Sequence, residues 1–235
     1  MDEIKSNCKA QEESKFKNDY YIEMKWRYEL VIKARNFHYE NFNKWMTYFY
    51  VMIGALFLGV CYIISKSEKN TEYTHALLFV IGIGFIVSLF WYWASKGYYY
   101  WNINFITLVN HYEKNILKFE EDERVYMVFA NKSNSNYLNP TGGANISTSK
   151  LSILLSFIIS CFWGIAFLNL TLDEYIKDNK AILYCISTIC TLFFISSLSE
   201  VVAKRLLSSY HKHFPDLQIK TGTDNFYRPV DEITT

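Results

Sequence analysis

The chain has 235 residues, about half of them apolar and 18% aromatic, with a formal net charge of +1. So even a charge balance excludes the concentrated basic surface that nucleic-acid binding needs, and no direct nucleic-acid contact is expected. A mean hydropathy near zero hides uncharged stretches set between segments dense in Lys, Glu, Asp and Asn, a division too fine for an ordinary soluble domain.

In chain order, residues 1–19 form a polar tail carrying Asp2, Glu3, Lys5, Lys9, Glu12, Glu13, Lys15 and Lys17, and are expected to fray. Residues 20–44 show helical spacing. Trp26, Leu30, Ala34, Phe37 and Trp45 fall on one arc, and Lys25, Glu29, Lys33, Asn36 and Glu40 on another. The apolar arc either packs on a neighbouring helix of the same chain or makes a subunit contact.

Residues 45–95 hold two apolar runs, Trp45–Ser65 and His75–Ser95, and residues 151–200 hold two more, Leu151–Leu170 and Ala181–Ser199. Each is about 20 residues long, and a helix rising about 1.5 Å per residue crosses a hydrocarbon core of about 30 Å at that length. The fold class is therefore all-α: a polytopic membrane protein with four transmembrane helices and amphipathic helical extensions.

Residues 96–150 continue the second span. Trp91, Tyr92, Trp93, Tyr98, Tyr99, Tyr100 and Trp101 suit a headgroup-level aromatic belt, with Lys96 placed to snorkel. Tyr98, Trp101, Phe105, Leu108, Tyr112, Ile116 and Phe119 then recur at threes and fours, which predicts a second amphipathic helix ending at the acidic run Glu120–Glu123. That run is a solvated face or, in an oligomer, an acidic ring. Ala130–Thr148 is rich in Asn, Ser and Gly around Pro140, a long mobile loop after which Ser147, Thr148 or Ser149 caps the third span. Residues 201–235 are a polar tail.

Lys and Arg number nine in residues 1–45, six in 96–150 and five in 201–235, against two in each short loop. The positive-inside rule places both termini and the middle region in the cytoplasm. No cleavable leader is expected, because 44 polar residues precede the first apolar run and that run is already a full span.

Catalytic signatures are missing: the chain has no phosphate loop, nucleophile elbow or zincin motif, so an enzyme is not expected. Cys8, Cys61, Cys161, Cys185 and Cys190 lack metal or redox spacing, and His211 and His213 flank Lys212 at a polar helix end, so neither metal nor cofactor is expected. The spans carry almost no ionisable group, which disfavours a coupled transporter. They do carry a packing signal. Ser152, Ser156, Ser160 and Gly164 repeat every fourth residue, and Gly84 with Ser88 makes a shorter stripe. Small residues at that spacing let helices approach closely, either inside one bundle or between subunits, where several copies would present a hydroxyl-lined pore.

Three blocks carry a family resemblance: ELVIKARNFHYENFNKW at Glu29–Trp45, SLFWYWASKGYYYWNINFITLVNHYE at Ser88–Glu113 and STSKLSILLSFIISCFWGIAFL at Ser147–Leu168. In its Ala34-Arg35 helix before the first span, its aromatic-Lys-Gly junction after the second and its Ser-x-Ser-Lys entry to the third, the chain resembles the RipA-like octameric membrane protein family of bacteria over roughly residues 20–170. The resemblance implies a non-enzymatic inner-membrane protein that self-assembles into a ring. Together these features suggest a conditional membrane-perturbing or channel-like effector, as in anti-phage defence. The alternative is a scaffold that recruits a cytosolic protein through the face formed by Trp26, Leu30, Phe37, Trp101, Phe105, Leu108 and Tyr112.

Overall fold

The computed structural model describes residues 2–66, 71–128, 146–173, 175–176 and 179–207, and among these every regular element is helical. Helix α1 runs from Asp2 to Lys66 and α2 from Thr71 to His111. A π turn, Tyr112–Ile116, extends α2; a 3-10 turn, Glu121–Glu123, and a short helix α3, Val125–Val128, follow it. Helix α4 spans Thr148–Leu172, and α5 spans Lys180–Leu198 with a π continuation at Ser199–Leu207.

The length of α1 follows from what it lacks. No Gly or Pro interrupts residues 2–53, so nothing in that stretch carries the about 1 to 3 kcal/mol penalty of those residues in a helix interior. Its 65 residues reach about 100 Å at about 1.5 Å each, three times the thickness of a bilayer core. The expected tail over residues 1–19 is thus not separate from the amphipathic helix: residues 2–19 are helical and continuous with it. Helix α4 starts at Ser147, whose side chain accepts the Lys150 N–H at 3.4 Å, and α5 starts at Asn179, which accepts the Ile182 N–H at 3.2 Å. An ion pair between Lys180 and Asp173 closes the connection between them.

Among the described residues four helices are long and apolar enough to cross a membrane, as the sequence indicates. Helix α2 is central, packed by both α1 and α4, which also touch each other at Met46 and Ser152, and α5 lies on α4. Helices α1 and α2 are antiparallel: Met46 meets Trp91, His38 meets Tyr98 and Phe105, and Tyr28 meets Glu113. Both therefore extend beyond the apolar spans at the same end, termed here the extension end. The loop expected at Ala130–Thr148 lies outside the described residues except for 146–148, and of the tail expected at 201–235 only 201–207 is described, where the chain continues α5 as a π helix and is not a separate tail.

Candidate functional site

The small-residue stripe is turned into the protomer. Ser156 and Ser160 are fully buried, and each hydroxyl donates to a backbone carbonyl one turn earlier, Ser152 and Ser156 respectively, at 2.8 Å. A Cβ added at Gly164 would fall 2.5 Å from Thr191 Cγ2, and one at Gly84 would strike the Trp163 ring. Ser88 is buried, its hydroxyl donating to the Phe85 carbonyl at 2.9 Å. These residues let side chains of α2, α4 and α5 pack closely within one chain, the first of the two arrangements expected for the stripe. Gly54 differs, with open space on its Cβ side.

Where the spans meet the extensions, Met46 Sδ joins three helices. It accepts from Trp91 Nε1 at 3.0 Å and from Ser152 Oγ at 3.3 Å, and the hydroxyls of Ser95 and Ser152 lie 3.1 Å apart. Trp91 is fully buried, stacked on Phe49, and Tyr98 is stacked on Phe42 at 3.6 Å between ring centroids. The expected aromatic belt is thus split. Trp91 and Tyr98 form the inner packing of the bundle, and Tyr100 and Trp101 face outward. The reason lies in position along the helix: residues seven apart return to one face, and that face meets α1.

The extension end holds a polar cluster that periodicity alone conceals. His38 stacks on Tyr98 at 5.0 Å, and burial holds its imidazole below the usual range, offset in part by a hydrogen bond to the Tyr98 backbone. Burial pushes the Tyr98 hydroxyl up to about 12. One turn of α1 earlier, the Arg35 guanidinium lies 5.2 Å over the Tyr126 ring. Burial raises the Tyr126 hydroxyl, Arg35 lowers it and Glu113 raises it, so both charges act on one phenol. Glu113 is fully buried and accepts the Tyr28 hydroxyl at 2.8 Å. Burial raises the Tyr28 hydroxyl first, and its bond to Glu113 raises it further.

Four atoms of this cluster are buried without a hydrogen-bond partner among the described residues: Arg35 Nε, His38 Nε2, Glu113 Oε2 and Tyr126 Oη. Unsatisfied buried polar atoms are uncommon and each costs about 1 to 3 kcal/mol. Their concentration within three short segments marks this end as the candidate site. No group of His, Cys, Asp and Glu suited to a metal occurs among the described residues.

The expected contact face divides. Trp26 is 58% exposed, Leu30 42%, Phe37 64% and Trp101 48% among the described residues. Phe105, Leu108 and Tyr112 are half-buried, Phe105 against His38. The inward arc of α1 is instead Met24, Tyr28, Arg35, His38, Phe42, Met46 and Phe49: His38, Phe42, Met46 and Phe49 meet α2, and Tyr28 and Arg35 meet Glu113 and Tyr126 beyond its end. Sequence reasoning missed it because Arg35 and His38 interrupt the apolar spacing. The signal was the aromatic run Tyr28, Phe42 and Phe49 at multiples of seven.

Residues 25–172, well over half the chain, match the octameric membrane protein family (8xMP). No curated protein and no solved structure matches the chain.

Proposed function

The chain belongs to the octameric membrane protein family, and from that premise we propose that it self-associates in the bacterial inner membrane, with both termini cytoplasmic, as a conditional membrane-perturbing effector. One observation carries the reading: Trp26, Leu30, Phe37 and Trp101 are apolar and aromatic side chains left exposed on the extensions, outside the four apolar runs. Exposed aromatic surface of this kind marks a protein contact, and the octamer in the family's description supplies a second copy as the occupant. The long α1 and α2 then stand as staves of a ring.

The burial of the Ser and Thr stripe shapes the mechanism. Ser156, Ser160, Ser187 and Thr191 all point inside the protomer, so a conduction path between subunits is lined by apolar and aromatic groups. Such a path closes by dewetting and opens only when subunits separate. This makes the activity conditional, as an effector in anti-phage defence requires. The second reading, a non-enzymatic scaffold that binds a cytosolic protein, draws on the same exposed Trp26, Leu30, Phe37 and Trp101.

A membrane-potential dye in cells expressing the protein, with and without its neighbouring genes and under phage challenge, tests the effector reading. Loss of polarisation confined to challenged cells is expected. Polarisation intact under every condition overturns it, and a stoichiometric soluble partner recovered in mild detergent then establishes the scaffold.

A further inference from the structure

Two charged groups at the extension end are each engaged on one side only. Glu113 Oε1 accepts from Tyr28 and, at 3.4 Å, from the Val125 N–H, whereas Oε2 has no partner among the described residues. Arg35 Nε is buried and unpartnered, and the guanidinium rests on the Tyr126 ring. No ion pair joins the two residues. Glu113 is fully buried and Arg35 partly so; opposite charges held partly out of water and left apart are costly, and direct pairing recovers part of that cost. One dipeptide occupies both: Val125 takes the carboxylate, and Tyr126 takes the guanidinium.

The backbone favours the alternative. Tyr28 and Arg35 lie on one face of α1, two turns or about 10 Å apart. Helical side chains lean toward the N-terminus. Arg35 therefore leans along α1 toward the level of Tyr28, and Glu113, at the end of the antiparallel α2, leans back toward Arg35.

We propose that residues 118–126 form a strap that docks Val125 and Tyr126 onto these two charges, and that withdrawal of the strap lets Arg35 and Glu113 pair across α1 and α2. The strap is built to move as a unit. Lys118, at φ 55°, is the one positive-φ residue described other than glycine, and it turns the chain out of the π turn. Beyond it, Arg124 Nε donates to the Phe119 carbonyl at 3.0 Å, and the Glu120 N–H donates to the Glu123 carboxylate at 3.0 Å. Helices α1 and α2 run unbroken from this cluster into the apolar spans, so a change of pairing at the extension end is passed into the membrane. The strap gives the proposed assembly its two-state element, and in that consequence it rests on the preceding reading.

Hydrogen exchange of the full-length protein in mild detergent tests it, followed by mass spectrometry over residues 119–126. Tyr126→Leu removes the ring under Arg35 and is expected to raise exchange there about tenfold, the signature of local opening. Tyr126→Phe keeps the ring and loses only an unpartnered hydroxyl, so exchange stays as in the native protein. Thermal stability gives the second measurement. In the Tyr126→Leu background, Arg35→Gln and Glu113→Gln together are expected to cost less than the sum of their separate effects; in the native background they add. Unchanged exchange in Tyr126→Leu, or additivity in both backgrounds, overturns the strap. Neither measurement requires membrane activity, so failure of the dye experiment bears on the proposed function alone.

Discussion

A hydroxyl-bearing side chain inside a membrane helix carries two kinds of information, its size and its hydrogen bond, and in this protein size governs. Ser156 and Ser160 satisfy their hydroxyls within α4, which leaves their small volume as the property the neighbouring helix uses. Replacing Ser156 by Leu forces bulk into a fully buried contact, and overpacking of that kind costs about 1 to 3 kcal/mol. Gly84→Ala acts the same way through the Trp163 ring, itself almost fully buried and bounded by α2. Thermal unfolding in detergent is expected to shift downward for both, with yield reduced at every assembly size. A smaller particle of unchanged stability would instead place the stripe between subunits. The repeat of Ser152, Ser156, Ser160 and Gly164 was legible because it needs only counting. Its neighbour was not, since lipid and protein are equally apolar to a helix and only tertiary placement names Trp163 and Thr191.

At the level of the element, α1 shows why the spans were readable and the site was not. Its membrane half announces itself by length and absence of charge, signals that any 20-residue window captures. Its extension is decided by which of two arcs meets α2, and both contain aromatic residues. The arc with the cleaner apolar spacing, Trp26, Leu30 and Phe37, faces outward, and the arc carrying Arg35 and His38 faces inward. Mixed polar and aromatic spacing is what a buried polar cluster requires, and a hydropathy argument ranks it second. The two arcs give opposite expectations for one substitution. Phe37→Glu sits on an exposed position, where a change away from packed contacts stays within about 0.5 kcal/mol for the single chain. Phe42→Glu places a carboxylate against the Tyr98 ring, and an unpaired charge there costs far more. Native mass spectrometry is expected to show smaller particles for Phe37→Glu with the chain folded, and loss of folded protein for Phe42→Glu. Octamers that survive Phe37→Glu would remove the outward arc from the subunit contact.

Across the whole molecule, the asymmetry of the fold lies in what each end carries. At one end the apolar helices are joined by short connections: α4 to α5 closes through the Lys180–Asp173 pair, and α1 and α2 are separated by residues 67–70. At the other end stand the extensions, with the polar cluster and sixteen of the eighteen Lys and Arg residues that are described. Translocating that many cations across a bilayer is unfavourable, and cations beside the spans weigh most in fixing orientation. Lys96 and Lys150 hold such positions, their ammonium groups over the rings of Tyr92 and Tyr99, where an aromatic face and the headgroup layer share the charge. The extension end is therefore expected in the cytoplasm. In a cysteine-free background, a thiol introduced at Thr74, exposed in the first turns of α2, should react with a membrane-impermeant maleimide on intact cells. One at Asp122, exposed on the strap, should react only after the membrane is opened. Reversed labelling would place the cluster, the strap and the outward aromatic arc outside the cell, beyond the reach of any cytosolic trigger.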